Sequence, residues 1–315
     1  MPNPRPALPP HLAVPAASGW VRVRAGFGLA ALLLAACSRQ APPVPAPPAP
    51  AGAFAMAARP GQARIIVLTH SVGRVVWEGG LGPFFQAWNR DHGTRYRIQR
   101  RPYPDGTAGH LWLGRILPDR LFNKLFPDQY PWDNNPYDFW NLWVAHRDRV
   151  QGELTLEELT RSYDVIVFKH CFDESRVEAD DGVPDVASPR QTLANYRLQY
   201  AALQARLHQF PHTRFILWTG AALREGSSTP EQAERARQFA TWVKTTWDQK
   251  GDNIFIWDFR ELETDGGLYL KPEYARNPRD SHPSAAFAAR VAPLLGRRIL
   301  DVIEGRGDTR SLTGR

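Results

Sequence analysis

Three residues of this 315-residue chain have the types that nucleophilic acyl chemistry needs: Ser71, Asp280 and His282. A serine hydroxyl is a poor nucleophile near neutral pH. It needs an imidazole to take its proton, and the imidazole needs a carboxylate to hold its tautomer. One residue separates Asp280 from His282, so a loop can present both to one serine. Pro283 fixes the backbone after the histidine and suits the start of a closing helix. Ser71 taken alone reads as an N-cap, for which serine is a preferred residue. Its position at the end of Arg64-Ile-Ile-Val-Leu-Thr-His-Ser-Val-Gly73 predicts more: a buried strand that delivers the serine into a turn.

The elements that must position these residues follow from hydrophobic periodicity. Apolar runs at 64–68, Tyr96–Arg101, Tyr163–His170, Arg214–Gly220 and Ile254–Asp258 predict strands, the second arginine-rich and therefore an edge. Helices are expected over Trp77–His92, Pro189–Gln209, Thr229–Lys250 and Ser284–Ile303. The third of these opens with an N-cap, a proline and a capping-box glutamine in Thr229-Pro230-Glu231-Gln232. Strands alternating with helices predict an α/β fold: a flavodoxin-like, three-layer α/β/α arrangement with a mostly parallel sheet of about five strands. Open α/β sheets bind ligands at the carboxyl ends of their strands. His70-Ser71, Lys169–Ser175 and Asp280-Ser-His282 are all expected there.

Composition narrows the function classes. Hydrophobic residues at 43% and charged residues at 23% are those of a globular domain. The net charge of +7 comes from arginines spread along the chain without a dense basic run, which argues against nucleic acid as a partner. No glycine-rich phosphate loop follows a strand, and His70, His170 and His282 with Asp280 lack paired ligand spacing, so neither a cofactor nor a metal is expected. Eleven tryptophans include a cluster between Trp77 and Trp143; core filling is expected for most. The long segment 102–149, rich in proline and aromatics, is expected to be a lid or binding wall.

The N-terminus is organised differently. Val21-Arg-Val-Arg24 and the apolar run Ala25–Ala36 have the form of a signal peptide, and the run is too short to span a bilayer permanently. Leu34-Ala-Ala-Cys37 resembles the bacterial lipobox, with Cys37 the lipidated residue. Residues 38–62 are a Pro/Ala-rich tether. The expected organisation is 1–37 extension and signal, 38–62 tether, 63–304 catalytic-type domain and 305–315 flexible tail. This implies a monomer anchored by lipid in the bacterial envelope, at the outer membrane facing the periplasm. No disulfide is expected, and Cys171 reads as a buried thiol.

The order Ser, Asp, His and its context resemble the SGNH/GDSL hydrolase superfamily over roughly Arg64 to Ile303. His70-Ser-Val-Gly73, Tyr137-Asp-Phe-Trp140, Phe168-Lys-His-Cys-Phe172 and Asp280-Ser-His-Pro-Ser284 are similar to an envelope subgroup of it. The resemblance implies a serine esterase with Ser71 as nucleophile, His282 as base and Asp280 as orienter. Its substrate is expected to be an acylated small molecule or glycan, such as an O-acetylated sugar. Two departures stand out. The Gly-Asp-Ser of better-known members is Thr69-His70-Ser71 here, and the third-strand asparagine that donates to the oxyanion is missing from Lys169–Ser175. Lys169 or His170 is the expected substitute donor, and Gly106 or Gly109 the expected second-block glycine. An O-acyltransferase would use the same triad, and a non-catalytic glycan-binding or scaffolding lipoprotein is the alternative from another class.

Overall fold

A computed structural model describes Phe54, Met56 and residues 60–104, 134–145 and 153–315, all within the unit Val44–Arg315. Cys37, Gly106 and Gly109 lie outside the described residues. Five strands form the main sheet: β1 (Gln62–Leu68), β2 (Arg95–Arg101), β3 (Val165–Lys169), β4 (Arg214–Trp218) and β5 (Ile254–Trp257). Their order is β2-β1-β3-β4-β5 with every neighbouring pair parallel. This is the flavodoxin-like order of a doubly wound sheet, with the arginine-rich β2 at its edge.

Alternation along each strand divides the core in two. Ile65 and Val67 of β1 pack with α1 (Ser71–Val76), α2 (Gly82–His92) and α8 (Ala285–Ile303), through Val72, Phe85, Val291 and Leu295. Ile66 and Leu68 face the opposite layer, built from α3 (Pro136–Trp140), α4 (Leu156–Ser162), α5 (Leu193–Leu207) and α6 (Pro230–Trp242). Trp143, Trp218, Trp247 and Trp257 are buried in these cores, and Trp77, Trp88 and Trp242 pack partly buried against them. The predicted capping box forms, with the Thr229 hydroxyl accepting from Gln232 N–H at 3.2 Å and Gln232 Oε1 accepting from Thr229 N–H at 3.1 Å.

Three departures from the sequence reading matter for the site. The helix after β1 begins at Ser71 itself and passes through a π turn (Trp77–Leu81) into α2. Asp280–Pro283, expected as a loop, is strand β7, paired antiparallel with β6 (Ala275–Asn277). The chain end, expected to fray, packs back instead: Trp257 Nε1 donates to Thr313 O at 3.1 Å, Asp258 N to Leu312 O at 2.9 Å and Arg297 Nε to Gly314 O at 3.0 Å. These bonds tie it to β5 and α8. The short α7 (Phe259–Thr264) follows β5.

Two glycines let the serine turn and the last helix dock. A Cβ on Gly73 would lie 1.5 Å from Oγ1 of the buried Thr69, so only glycine lets the first turn of α1 close over the end of β1. A Cβ on Gly79 would lie 2.5 Å from the Ala288 backbone, where the π turn and α8 meet. Among the described residues no helix is long and apolar enough to cross a membrane.

Candidate active site

Ser71 occupies the first position of α1, immediately past the C-terminal end of β1. His70 before it is extended, and its Nε2 bonds to the Pro104 carbonyl. Opposite lies β7, which packs against α1. The period of two in a strand explains the Asp-x-His spacing. Ser281 and Pro283 point inward, while Asp280 and His282 share the other face, their side chains 26% and 27% exposed.

Their geometry is that of an oriented imidazole. Asp280 Oδ1 accepts from His282 N–H at 2.9 Å and faces His282 Nδ1 at 2.6 Å; Oδ2 accepts from Arg276 at 3.1 Å. Burial pushes the Asp280 carboxyl up, but the two bonds from His282 and the charge of Arg276 outweigh it and hold the group below its ordinary value. A carboxylate on Nδ1 selects the tautomer with its proton on Nδ1, which leaves Nε2 free to accept one.

The third-strand segment closes the site between serine and histidine. Ser71 Oγ lies 3.3 Å from Cys171 Sγ, and the Phe172 ring meets His282 edge to face at 5.2 Å. Ser71, Cys171, Phe172, His282 and Asp280 thus form one contiguous set. Among the described residues no hydrogen bond joins Ser71 to His282; the hydroxyl is engaged by the thiol. Cys171 is therefore half-buried at the site, not the buried thiol expected. The apolar run before it ends one residue earlier, at Lys169-His170, which are the buried pair.

Lys169 and His170 are both fully buried. The Lys169 ammonium donates to the His170 carbonyl, and burial lowers its pKa against the pull of nearby acids. The His170 ring is enclosed by Phe139 at 4.7 Å and Tyr200 at 5.5 Å, with no hydrogen-bond partner on either nitrogen among the described residues. Neither side chain is open to a substrate as the expected oxyanion donor would be. Beneath them Glu174 fills the space over Gly220, where a Cβ would lie 2.5 Å from its carboxylate, and burial raises its pKa to about 8.

Burial, reinforced by the Lys169 charge, holds the His170 imidazole well below its ordinary value. The unfolded chain takes up this proton near pH 6.5 and the folded chain does not, so stability falls as pH drops below that point, by up to about 1.4 kcal/mol per pH unit. A His170→Phe variant is expected to lose this acid-side slope in urea melts at a series of pH values while keeping its activity. A collapse of activity with stability intact would instead return His170 to the catalytic set.

Asn134, which the sequence reading did not single out, anchors this segment. It holds a left-handed backbone at φ 58°, its carbonyl accepts from Cys171 N–H at 2.7 Å, and its amide donates to Tyr103 O at 3.0 Å. Asp138 accepts from Asn134 N–H at 2.5 Å, and Asn135 caps α3 through a capping box with Asp138. The signal for this cap was available in Asn135-Pro136-Tyr137-Asp138. Its link to Cys171 was not.

The thiol contact carries its own test. Sγ at 3.3 Å from Oγ leaves no room for an added group, so alkylation of Cys171 is expected to stop ester turnover. Cys171→Ala is expected to resist the reagent and to keep turnover within about tenfold of wild type, since it loses one hydrogen bond of ordinary strength. A dead Cys171→Ala beside an active Ser71→Ala would make the thiol the nucleophile.

No family model matches the chain, and no curated protein matches it. A solved structure described as a gut microbial diltiazem-metabolizing enzyme is similar at a TM-score of 0.40 and 13% identity, over 76% of this chain. The chain spans about half of that protein, 48% of its length. At that level of similarity the likeness assigns no residue a role.

Proposed function

We propose that this chain is a serine ester hydrolase of the SGNH/GDSL type, acting from a lipid anchor at Cys37 in the bacterial envelope on acyl esters such as the O-acetyl groups of a glycan. The observation that carries this reading is the Asp280–His282 pair, hydrogen-bonded at 2.6 Å on one face of a strand packed against the helix that Ser71 begins. Catalytic hydrogen bonds are often long in the free state, so the Ser71–Cys171 contact describes a resting hydroxyl.

In the reaction His282 Nε2 takes the Ser71 proton as Oγ bonds to the acyl carbon. The tetrahedral adduct expels the alcohol, which receives that proton, leaving an ester on Ser71. Water, deprotonated by the same nitrogen, then releases the acid and restores the hydroxyl. A sugar hydroxyl in place of water would make the protein an O-acyltransferase. The Ser71 backbone N–H, at the first helical position, is one donor for the developing oxyanion.

A fluorophosphonate, which bonds covalently to activated serines, tests the reading by mass spectrometry. An adduct on Ser71 that disappears when His282 is replaced is the expected result. The missing third-strand asparagine favours the second reading, a glycan-binding protein on the same fold, and a folded sample with no adduct would decide for it.

A further inference from the structure

Seven arginines stand against Glu78 and Asp91 in residues 60–104, a local net charge of +5. Four of the seven, Arg95, Arg97, Arg100 and Arg101, are in the edge strand β2, which has no acidic residue. Alternation puts Arg95, Arg97, Gln99 and Arg101 on one face. The other face carries Tyr96, buried against Phe85 at 6.3 Å, with Ile98 and the half-buried Arg100. The register pairs Arg64 with Arg97, which adds Arg64 to the row.

The row is open to solvent and largely uncompensated. Arg95 and Arg97 are exposed and have no ion pair among the described residues. Arg64 is engaged by Asp164 at 3.0 Å, and Arg101 keeps a buried Nε with no hydrogen-bond partner among the described residues. Beside the row an open groove of about 210 Å³ runs between Arg64, Arg97, Gln99 and Tyr163. It is smaller than the roughly 300–1,000 Å³ pockets that enclose small molecules, and it suits a segment of polymer lying across it. Charge also protects sheet edges from pairing, but that role accepts either sign and does not require three residues of one sign on one face.

From this geometry we infer that the open face of β2 binds an anionic polysaccharide bearing carboxylates and leads it toward the catalytic edge. The inference deepens the hydrolase reading and rests on it for the ester that is cleaved. From Arg95 to Arg101 the row spans about 20 Å at the rise of a strand. It ends where Thr69 N–H donates to Arg101 O at 3.0 Å, two residues before Ser71. A chain held along the row arrives at the nucleophile. An anionic lipid surface fits less well, because interfacial binding joins basic with inserted apolar residues, and the exposed large hydrophobic among the described residues is Val183, on a different part of the fold.

The test uses the full-length chain and measures affinity for polygalacturonate, for uncharged dextran and for phosphatidylglycerol vesicles. Wild type is expected to bind polygalacturonate at low salt, to weaken as salt screens the arginines, and to ignore dextran. Arg95→Glu with Arg97→Glu is expected to lose about tenfold or more of that affinity, as charge-assisted contacts turn repulsive, with hydrolysis of a small acyl ester unchanged. Should the double variant melt early, Arg97→Gln alone is expected to weaken polymer binding in the same direction. Equal affinity of wild type and variants, no binding of polygalacturonate, or binding to vesicles alone would each overturn the inference. Binding by Ser71→Ala is measured in parallel: polymer affinity without ester turnover in the wild type would remove the hydrolase reading and leave this surface standing.

Discussion

A Ser71→Ala variant is expected to lose hydrolysis of a small acyl ester by on the order of 10⁴-fold or more, because the proposed acyl intermediate forms on its hydroxyl. The protein itself should be unmoved. Ser71 is half-buried at the first position of α1, where His70 and not the serine is the N-cap, and alanine is a good helix former there. The contact the variant gives up, with Cys171 Sγ at 3.3 Å, is worth about 1 kcal/mol. The measurement is steady-state turnover beside a urea melt of the same sample. Full turnover in the variant would sink the mechanism; loss of turnover with an early melt would call for Ser71→Gly to separate chemistry from folding.

Asp280→Asn is expected to give the second largest effect, a fall in kcat of about 10²- to 10⁴-fold with little change in KM. Asp280 Oδ1 now accepts from both the backbone and the ring of His282. Asparagine matches its shape but offers an amide N–H toward Nδ1, which favours the tautomer whose proton sits on Nε2. A protonated Nε2 cannot take the serine proton. The loss should appear equally in the rate of fluorophosphonate labelling, which depends on the same proton transfer. Unchanged labelling would show that the Asp280–His282 pair is structural. Arg276 loses a charged partner in this variant, but it is exposed and its pair contributes little to stability.

Much of the scaffold was legible because its causes are local. The apolar runs at β1, β3, β4 and β5 announce strands buried on both faces, and the cap at Thr229 announces a helix start. Three short helices lack a periodic signal, among them Pro136–Trp140 inside the segment expected as a lid or binding wall. Leu156–Ser162 is mostly polar and only Thr155-x-x-Glu158 marked it, and Phe259–Thr264 is held by its burial against the core, not by a periodic pattern. Strand β7 is four residues ending in proline and becomes a strand only through its pairing with β6. The tail follows the same logic: its composition is that of a frayed end, but Trp257, Arg297 and Arg298 of distant elements take up its carbonyls.

For the site, the residue types and the Asp-x-His spacing were determined by the sequence alone, since a spacing of two becomes one face in any extended segment. So were the strand that delivers Ser71 and the one-signed arginines of β2. Tertiary structure decided the rest. It exchanged the expected roles of neighbours in Lys169-His-Cys171, burying the lysine and histidine and bringing the thiol to 3.3 Å from a serine 100 residues away. It also tied Asn134 to Cys171. The physical reason is the same in each case: period and capping act within a few residues and leave their trace in the sequence, whereas burial and contact depend on which distant elements pack together.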